Sequence, residues 1–132
     1  LAQAIVLRLD EMSITERQLL HERHLVSKEL AALDAGTEAR SGAAVLVSQD
    51  AGVMINEEDH LRLQAFRSGF DLNGAFAAAS RLDRELGAEL PYAFHPEFGF
   101  LTSCPTNTGT GLRPARAGIR VRVQSAKKTN PR

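Results

Sequence analysis

The sequence predicts an α+β domain, a mainly antiparallel sheet flanked by helices, on three observations. Hydrophobic residues make up 43% of the 132, enough for one domain with a real core rather than a disordered chain. Apolar runs rich in β-branched residues recur, and two of them, AAVLVS at 43–48 and VMIN at 53–56, are separated only by a tight turn at 49–52, which makes a hairpin. Between and beside these runs lie two longer stretches with helical spacing of apolar residues.

The elements follow in order. Residues 4–8 are apolar and β-branched enough to enter the domain as a strand, and 10–13 turn the chain. A helix is expected over 15–33, carrying Leu19, Leu20, Arg23, His24 and Glu29, with Ser27 as a point of interruption. Residues 34–42 are small and polar, hence loop. After the hairpin, 58–66 fits either a helix or a strand. The strand is the preferred reading, because alternation then puts Glu58, His60, Arg62 and Gln64 on a polar face and Asp59, Leu61, Leu63 and Ala65 on a packing face. Residues 69–73 turn the chain into an alanine-rich helix over 75–90, with Phe76, Ala79, Leu82 and Leu86 on one side and Pro91 at its end. A loop at 92–98 leads to a short strand at 99–103, and the alternating IRVRV at 119–123 is a further strand. The polar residues 124–132 read as a tail, so the folded unit is expected over 1–123.

Composition narrows the function. Lys plus Arg number 16 and Asp plus Glu 16, a net charge of zero that gives no support for a nucleic-acid or membrane partner. Lysine occurs only at Lys28, Lys127 and Lys128, so arginine carries most of the positive charge. Arginine suits bidentate contact with phosphate and carboxylate, although a GC-rich genome gives the same bias. The single cysteine excludes an intrachain disulfide and fits a reducing cytosol. No apolar run approaches the roughly 18 residues of a membrane span, and the N-terminus lacks a basic leader, so a cytoplasmic location is expected. The chain begins at Leu1 rather than Met and reads as part of something larger.

Two segments concentrate the chemistry. MINEEDHLR, from Met54 to Arg62, sets three consecutive acids, a histidine and an arginine inside an apolar run. LTSCPTNTGTGLR, from Leu101 to Arg113, places Cys104 before a proline, several threonines, two glycines and an arginine. A loop of that kind presents a thiol, hydroxyls, closely approachable backbone and one fixed positive charge. Together the two segments have the makings of an active site for phosphate and a cationic substrate.

These residues resemble the phosphagen (guanidino) kinases. That family carries an NEEDH motif, here Asn56 to His60, and a CP[ST]N-x-GTGLR motif, here Cys104 to Arg113. ERHLVSKEL, NEEDHLRLQAFRSGF and YAFHPEFGFLTSCPTN are most similar to the bacterial branch, the protein-arginine kinases. The resemblance covers about Ile5 to Arg113. It implies the family's glutamine-synthetase-like catalytic fold and transfer of the ATP γ-phosphoryl group to arginine guanidinium groups in proteins, with Mg²⁺ arriving on the ATP. A guanidinium is a poor nucleophile, with a pKa above about 12. Transfer therefore needs a carboxylate to orient it and take its proton, and cations to hold phosphate charge.

By resemblance, Glu58 is the catalytic glutamate and Cys104 the reactive cysteine, a thiolate that positions the guanidinium and does not attack covalently. Thr106 and Ser103 can donate hydrogen bonds that favour the thiolate. The bland alternative for Cys104 is a buried small hydrophobe. Glu57, Asp59 and Thr106 fall on the substrate side. His24, Arg62 and the stretch Arg113, Pro114, Ala115, Arg116 and Ala117 match nucleotide contacts, with Pro114 lacking a backbone N–H. His60 receives no role, and His21 and His95 read as surface residues. Beyond Arg113 the family continues with an apolar strand resembling SVMVHLP, where this chain has PARAGIRVRVQSAKKTNPR: a truncation, a divergent end or a shifted reading frame. Two arginine-rich segments that complete the family's phosphate site are not among these residues. The expectation is therefore a truncated catalytic core, or alternatively an inactive piece that still binds nucleotide or guanidinium. The resemblance implies arginine-bearing protein substrates, an adaptor and a Clp-type protease as partners, and allows an oligomer.

Overall fold

The computed structural model describes residues 3–69, 71–115 and 118–121, the last two strands by backbone alone. In chain order these residues form strand β1 (Ile5–Arg8), helices α1 (Ile14–Glu22) and α2 (Lys28–Ala31), strands β2 (Ala44–Val47), β3 (Ala51–Ile55) and β4 (Leu61–Ala65), helix α3 (Leu72–Glu89), and strands β5 (Phe94–His95), β6 (Gly99–Phe100), β7 (Leu112–Ala115) and β8 (Gly118–Val121). Six strands make one sheet in the order β1-β2-β3-β4-β8-β7, and every pairing is antiparallel. The strands β5 and β6 form a separate small hairpin.

Register divides the side chains between two cores. Val45 stands opposite Met54, and Met54 opposite Arg62, so all three share one face. Val53 stands opposite Leu63 on the other. On the Val53 face, α3 packs Ala75, Ala78, Ala79 and Leu82 against Val53, Leu61, Leu63 and Ala65. Small alanines there bring the helix close to the sheet. On the Met54 face, Leu20, Val26, Leu30 and Ala31 from the α1–α2 unit pack on Leu9, Val45 and Met54. Each large aliphatic side chain removed from water on either face contributes about 1.5–3 kcal/mol before entropy is counted. All five residues of β4 are buried, because helices cover both sides of that central strand.

The expected helix over 15–33 is two helices. Ser13 opens α1 with a reciprocal cap: its backbone N–H donates to the Glu16 carboxylate at 2.8 Å, and its hydroxyl accepts from the Glu16 N–H at 3.3 Å. The chain then turns through His24 in the left-handed region, φ 58°. Ser27 interrupts as a fresh cap, its hydroxyl accepting from the Leu30 N–H at 3.1 Å. The strand expected from residue 58 begins at Leu61. Asn56 also adopts a left-handed backbone, φ 58°, and its N–H donates to the His60 carbonyl at 3.0 Å. That bond closes residues 56–60 into a loop, so Glu58 shares no strand face with Arg62.

Downstream, the strand expected at 99–103 shrinks to β6, and its partner β5 lies inside the expected 92–98 loop. β7 occupies a stretch read as the end of the cysteine loop and the residues after it. Pro114 is tolerated there because β7 lies at the edge of the sheet. β8 overlaps the alternating strand expected at 119–123; residues 122 and 123, and the tail at 124–132, lie outside the described residues.

Tyr92 ties α3 to the small hairpin. Its ring meets Phe100 edge-on, with centroids 6.0 Å apart, and its hydroxyl donates to the Asp83 carbonyl at 3.3 Å. One carboxylate oxygen of Asp83 is buried there without a hydrogen-bond partner. Burial pushes the Asp83 carboxyl above its ordinary value. The fold therefore favours the neutral acid. Asp83 adds stability below the ordinary carboxylate range and loses that contribution as pH rises through its raised value. Asp83→Asn is expected to be slightly more stable than wild type at neutral pH, by less than about 1 kcal/mol, with the gain vanishing near pH ~4. Thermal unfolding at both pH values checks it; a gain independent of pH contradicts it.

Candidate active site

The acidic segment forms the loop between β3 and β4. Its left-handed turn at Asn56 is pinned from outside: the Asn56 side-chain amide donates to the Gly42 carbonyl at 3.1 Å, and the Gly42 N–H donates to the Asp10 carboxylate at 2.8 Å. Arg40 donates to the Glu57 carbonyl at 2.8 Å. Within the loop the acids alternate. Glu57 and Asp59 are buried, whereas Glu58 and His60 are exposed.

The two buried acids have different partners. Glu57 Oε1 accepts from Arg62 Nη1 at 2.8 Å, and both side chains are under a tenth exposed. Asp59 accepts from the Ser103 N–H at 3.0 Å, while the Ser103 hydroxyl donates to the Glu58 carbonyl at 3.0 Å. Two bonds thus cross-link the acidic loop to the cysteine loop, placing Glu58 and Cys104 each next to a residue of the cross-link. Ser103 does not serve the thiol as expected, since its hydroxyl is committed to Glu58. Thr106 does meet Cys104, with Oγ1 3.0 Å from Sγ.

The cysteine loop is braced at its far end. Phe100 and Gly109 exchange two backbone hydrogen bonds of 3.0 Å, and the Thr102 hydroxyl donates to the Cys104 carbonyl at 2.6 Å. Gly99, φ 77°, makes this possible: a Cβ there would lie 2.9 Å from the Gly109 carbonyl oxygen. Gly99→Ala is expected to cost about 2 kcal/mol from backbone strain and the forced shift of Gly109. Thermal unfolding reads this loss, and faster alkylation of Cys104 reads the loosened loop. An unchanged melting point contradicts it.

On the sheet face below the α1–α2 turn lies a cavity of about 320 Å³ lined by His21, His24, Val26, Ser27, Lys28, Glu29, Met54, Arg62 and Gln64. Sequence reasoning named His24 and Arg62 and missed His21, which is half-buried with Nδ1 3.1 Å from the Val26 carbonyl. His24 reaches the rim because its left-handed backbone turns the chain out of α1. A second cavity, about 240 Å³, is lined by Arg40, Ser41, Asn56, Glu57, Glu58, Asp59 and His60. The Arg62–Glu57 pair connects a cation-rich cavity suited to anions with an acidic cavity suited to a cation. Arg113, Pro114 and Ala115 lie in β7, next to β8; their side chains, and Arg116 and Ala117 entirely, fall outside the described residues.

The sequence matches the family described as ATP:guanido phosphotransferase, C-terminal catalytic domain, over residues 2–128. The chain belongs to the ATP:guanido phosphotransferase family. Among relatives of this family, a protein-arginine kinase of Shouchella clausii is 40% identical over 115 residues, which is 86% of this chain and 30% of that protein. One from Bacillus cereus is 44% identical over 109 residues, 82% of this chain and 29% of its own length. The chain thus spans less than a third of the relatives it matches. The substrate-free duplicated taurocyamine kinase from Schistosoma mansoni superposes over 94% of this chain and 23% of its own, with TM-score 0.66 and 21% identity, and so shares the fold. Among the described residues, no helix is long and apolar enough to cross a membrane.

Proposed function

We propose that this chain is catalytic-domain sequence of a cytoplasmic protein-arginine kinase, transferring the γ-phosphoryl group of MgATP to arginine side chains of proteins. The observation that carries the reading is the juxtaposition of the two cavities through the buried Arg62–Glu57 pair, with Glu58 and Cys104 brought near each other by the Ser103 bonds. Likeness to proteins named protein-arginine kinase supports the choice of acceptor.

In this reading the nucleotide occupies the cavity under the α1–α2 turn, with His24 and Arg62 as contacts and the Arg113–Ala117 stretch completing the phosphate side. Mg²⁺ comes with ATP, held by phosphate oxygens. Glu57, expected on the substrate side, lines the acidic cavity, and its carboxylate also fixes Arg62 and so aims that guanidinium. Glu58, exposed at the loop tip, receives the substrate guanidinium and accepts the proton it releases on attack. Cys104 and Thr106 flank the same group, and Asp59 holds the two loops in register. Likeness to these relatives supports arginine-bearing proteins as substrates; an adaptor, a Clp-type protease and an oligomer belong to the proposal by resemblance.

The test is transfer of label from γ-labelled ATP to an arginine-rich protein. Acid-labile label on arginine supports the reading. ATP binding without transfer by the folded chain contradicts it and leaves a nucleotide-binding module.

A further inference from the structure

We propose that Lys28 is the exchangeable cation of the nucleotide cavity: it leaves Asp34 to bind the polyphosphate of an incoming nucleoside triphosphate. The inference rests on the nucleotide reading of that cavity and adds a residue to it.

Charge accessibility singles Lys28 out. Arg62 lines the cavity, but its guanidinium is held in a buried pair with Glu57. Pulling it away would leave a buried carboxylate behind, which is costly. Lys28 lines the same cavity and is bound to Asp34 in a pair whose side chains are 54% and 65% exposed. Such a surface pair contributes almost nothing and can be exchanged at little cost. Lysine also suits the exchange, as a point charge on a flexible stem whose three donors need no fixed fork. Among the described residues Glu29 is the one carboxylate lining the cavity, and with Arg62 already matched to Glu57, recruiting Lys28 adds the positive charge that an incoming polyphosphate needs. Ser27, which caps α2, fixes where the Lys28 stem begins.

The experiment measures binding to the purified chain of three probes, MgATP, adenosine and inorganic tripolyphosphate, for wild type, Lys28→Gln, Lys28→Arg and Asp34→Asn. Lys28→Gln is expected to weaken MgATP and tripolyphosphate by about 3–10-fold and to leave adenosine unchanged. Lys28→Arg should restore most of the loss. Asp34→Asn should tighten the two anionic probes, because it releases Lys28 from its competitor. Equal MgATP affinity in wild type and Lys28→Gln overturns the proposal, as does an equal loss for adenosine, which would mark a structural role. If Lys28→Gln fails to fold, weaker anion binding by Asp34→Asn overturns it instead. Lys28-dependent tripolyphosphate binding without transfer to arginine upholds this inference and sinks the kinase reading. Transfer that Lys28→Gln leaves intact, with unchanged ATP affinity, does the reverse. Wild type that binds neither anion overturns both.

Discussion

Glu57→Gln is expected to lower the unfolding free energy by about 3 kcal/mol and the melting temperature by roughly 10 °C. Glu57 and Arg62 side chains are 4% and 7% exposed, and their 2.8 Å contact joins the β3–β4 loop to the central strand. The substitution removes a negative charge that a buried guanidinium was matched to. The pair itself adds little net stability, because desolvating two ions offsets most of their attraction. The double variant Glu57→Gln with Arg62→Met is therefore expected to recover most of the lost stability, and a double-mutant cycle isolates the coupling. Nucleotide affinity should not recover, since Arg62 is gone. Chemical denaturation and MgATP binding on the four proteins check this. A single-variant cost below about 1 kcal/mol would contradict the assigned burial.

The fold class was legible in the sequence because its strands and helices carry their own periodicity. The hairpin of β2 and β3, the alanine-rich α3 and the alternating β8 all fall where apolar spacing puts them. What periodicity could not show was where backbone geometry overrides it. His24 and Asn56 both take left-handed conformations, which split the first expected helix and turned Glu58–His60 from strand into loop. Asparagine is among the residues that tolerate that region, so Asn56 carried a faint signal; His24 carried less. β5 and β6 are two residues each, too short for alternation to register. β7 was hidden by Pro114, which argues against a strand unless the strand is at an edge.

The site divides in the same way. The two motifs single out Glu58, Asp59, Arg62 and Cys104, and the fold gathers these four around two linked loops. Their partners were not readable, because those bonds are tertiary. That Ser103 serves Glu58 and Asp59 rather than Cys104 depends on segments 44 and 45 residues apart in sequence meeting in space; that Glu57 binds Arg62, five residues on, depends on the turn the loop makes between them. Lys28 and His21 line the cavity because of the α1–α2 turn, which apolar periodicity does not register.

Glu58 carries the largest effect expected on catalysis. It is exposed beside the cross-linked loops, and its backbone carbonyl accepts from the Ser103 hydroxyl at 3.0 Å. Glu58→Gln keeps size and hydrogen-bonding reach but cannot take a proton. Loss of a positioned base reduces transfer by about 10²–10⁴-fold, whereas folding and ATP binding should stay close to wild type. The decisive measurement is single-turnover transfer from γ-labelled ATP to an arginine-rich protein by wild type and Glu58→Gln, with the N-phosphorylated arginine identified by its acid lability. Phosphoarginine from wild type, and a loss of at least about 10²-fold in a folded, ATP-binding Glu58→Gln, is the predicted result. Equal transfer rates for the two proteins would contradict the assignment of this loop as the catalytic one.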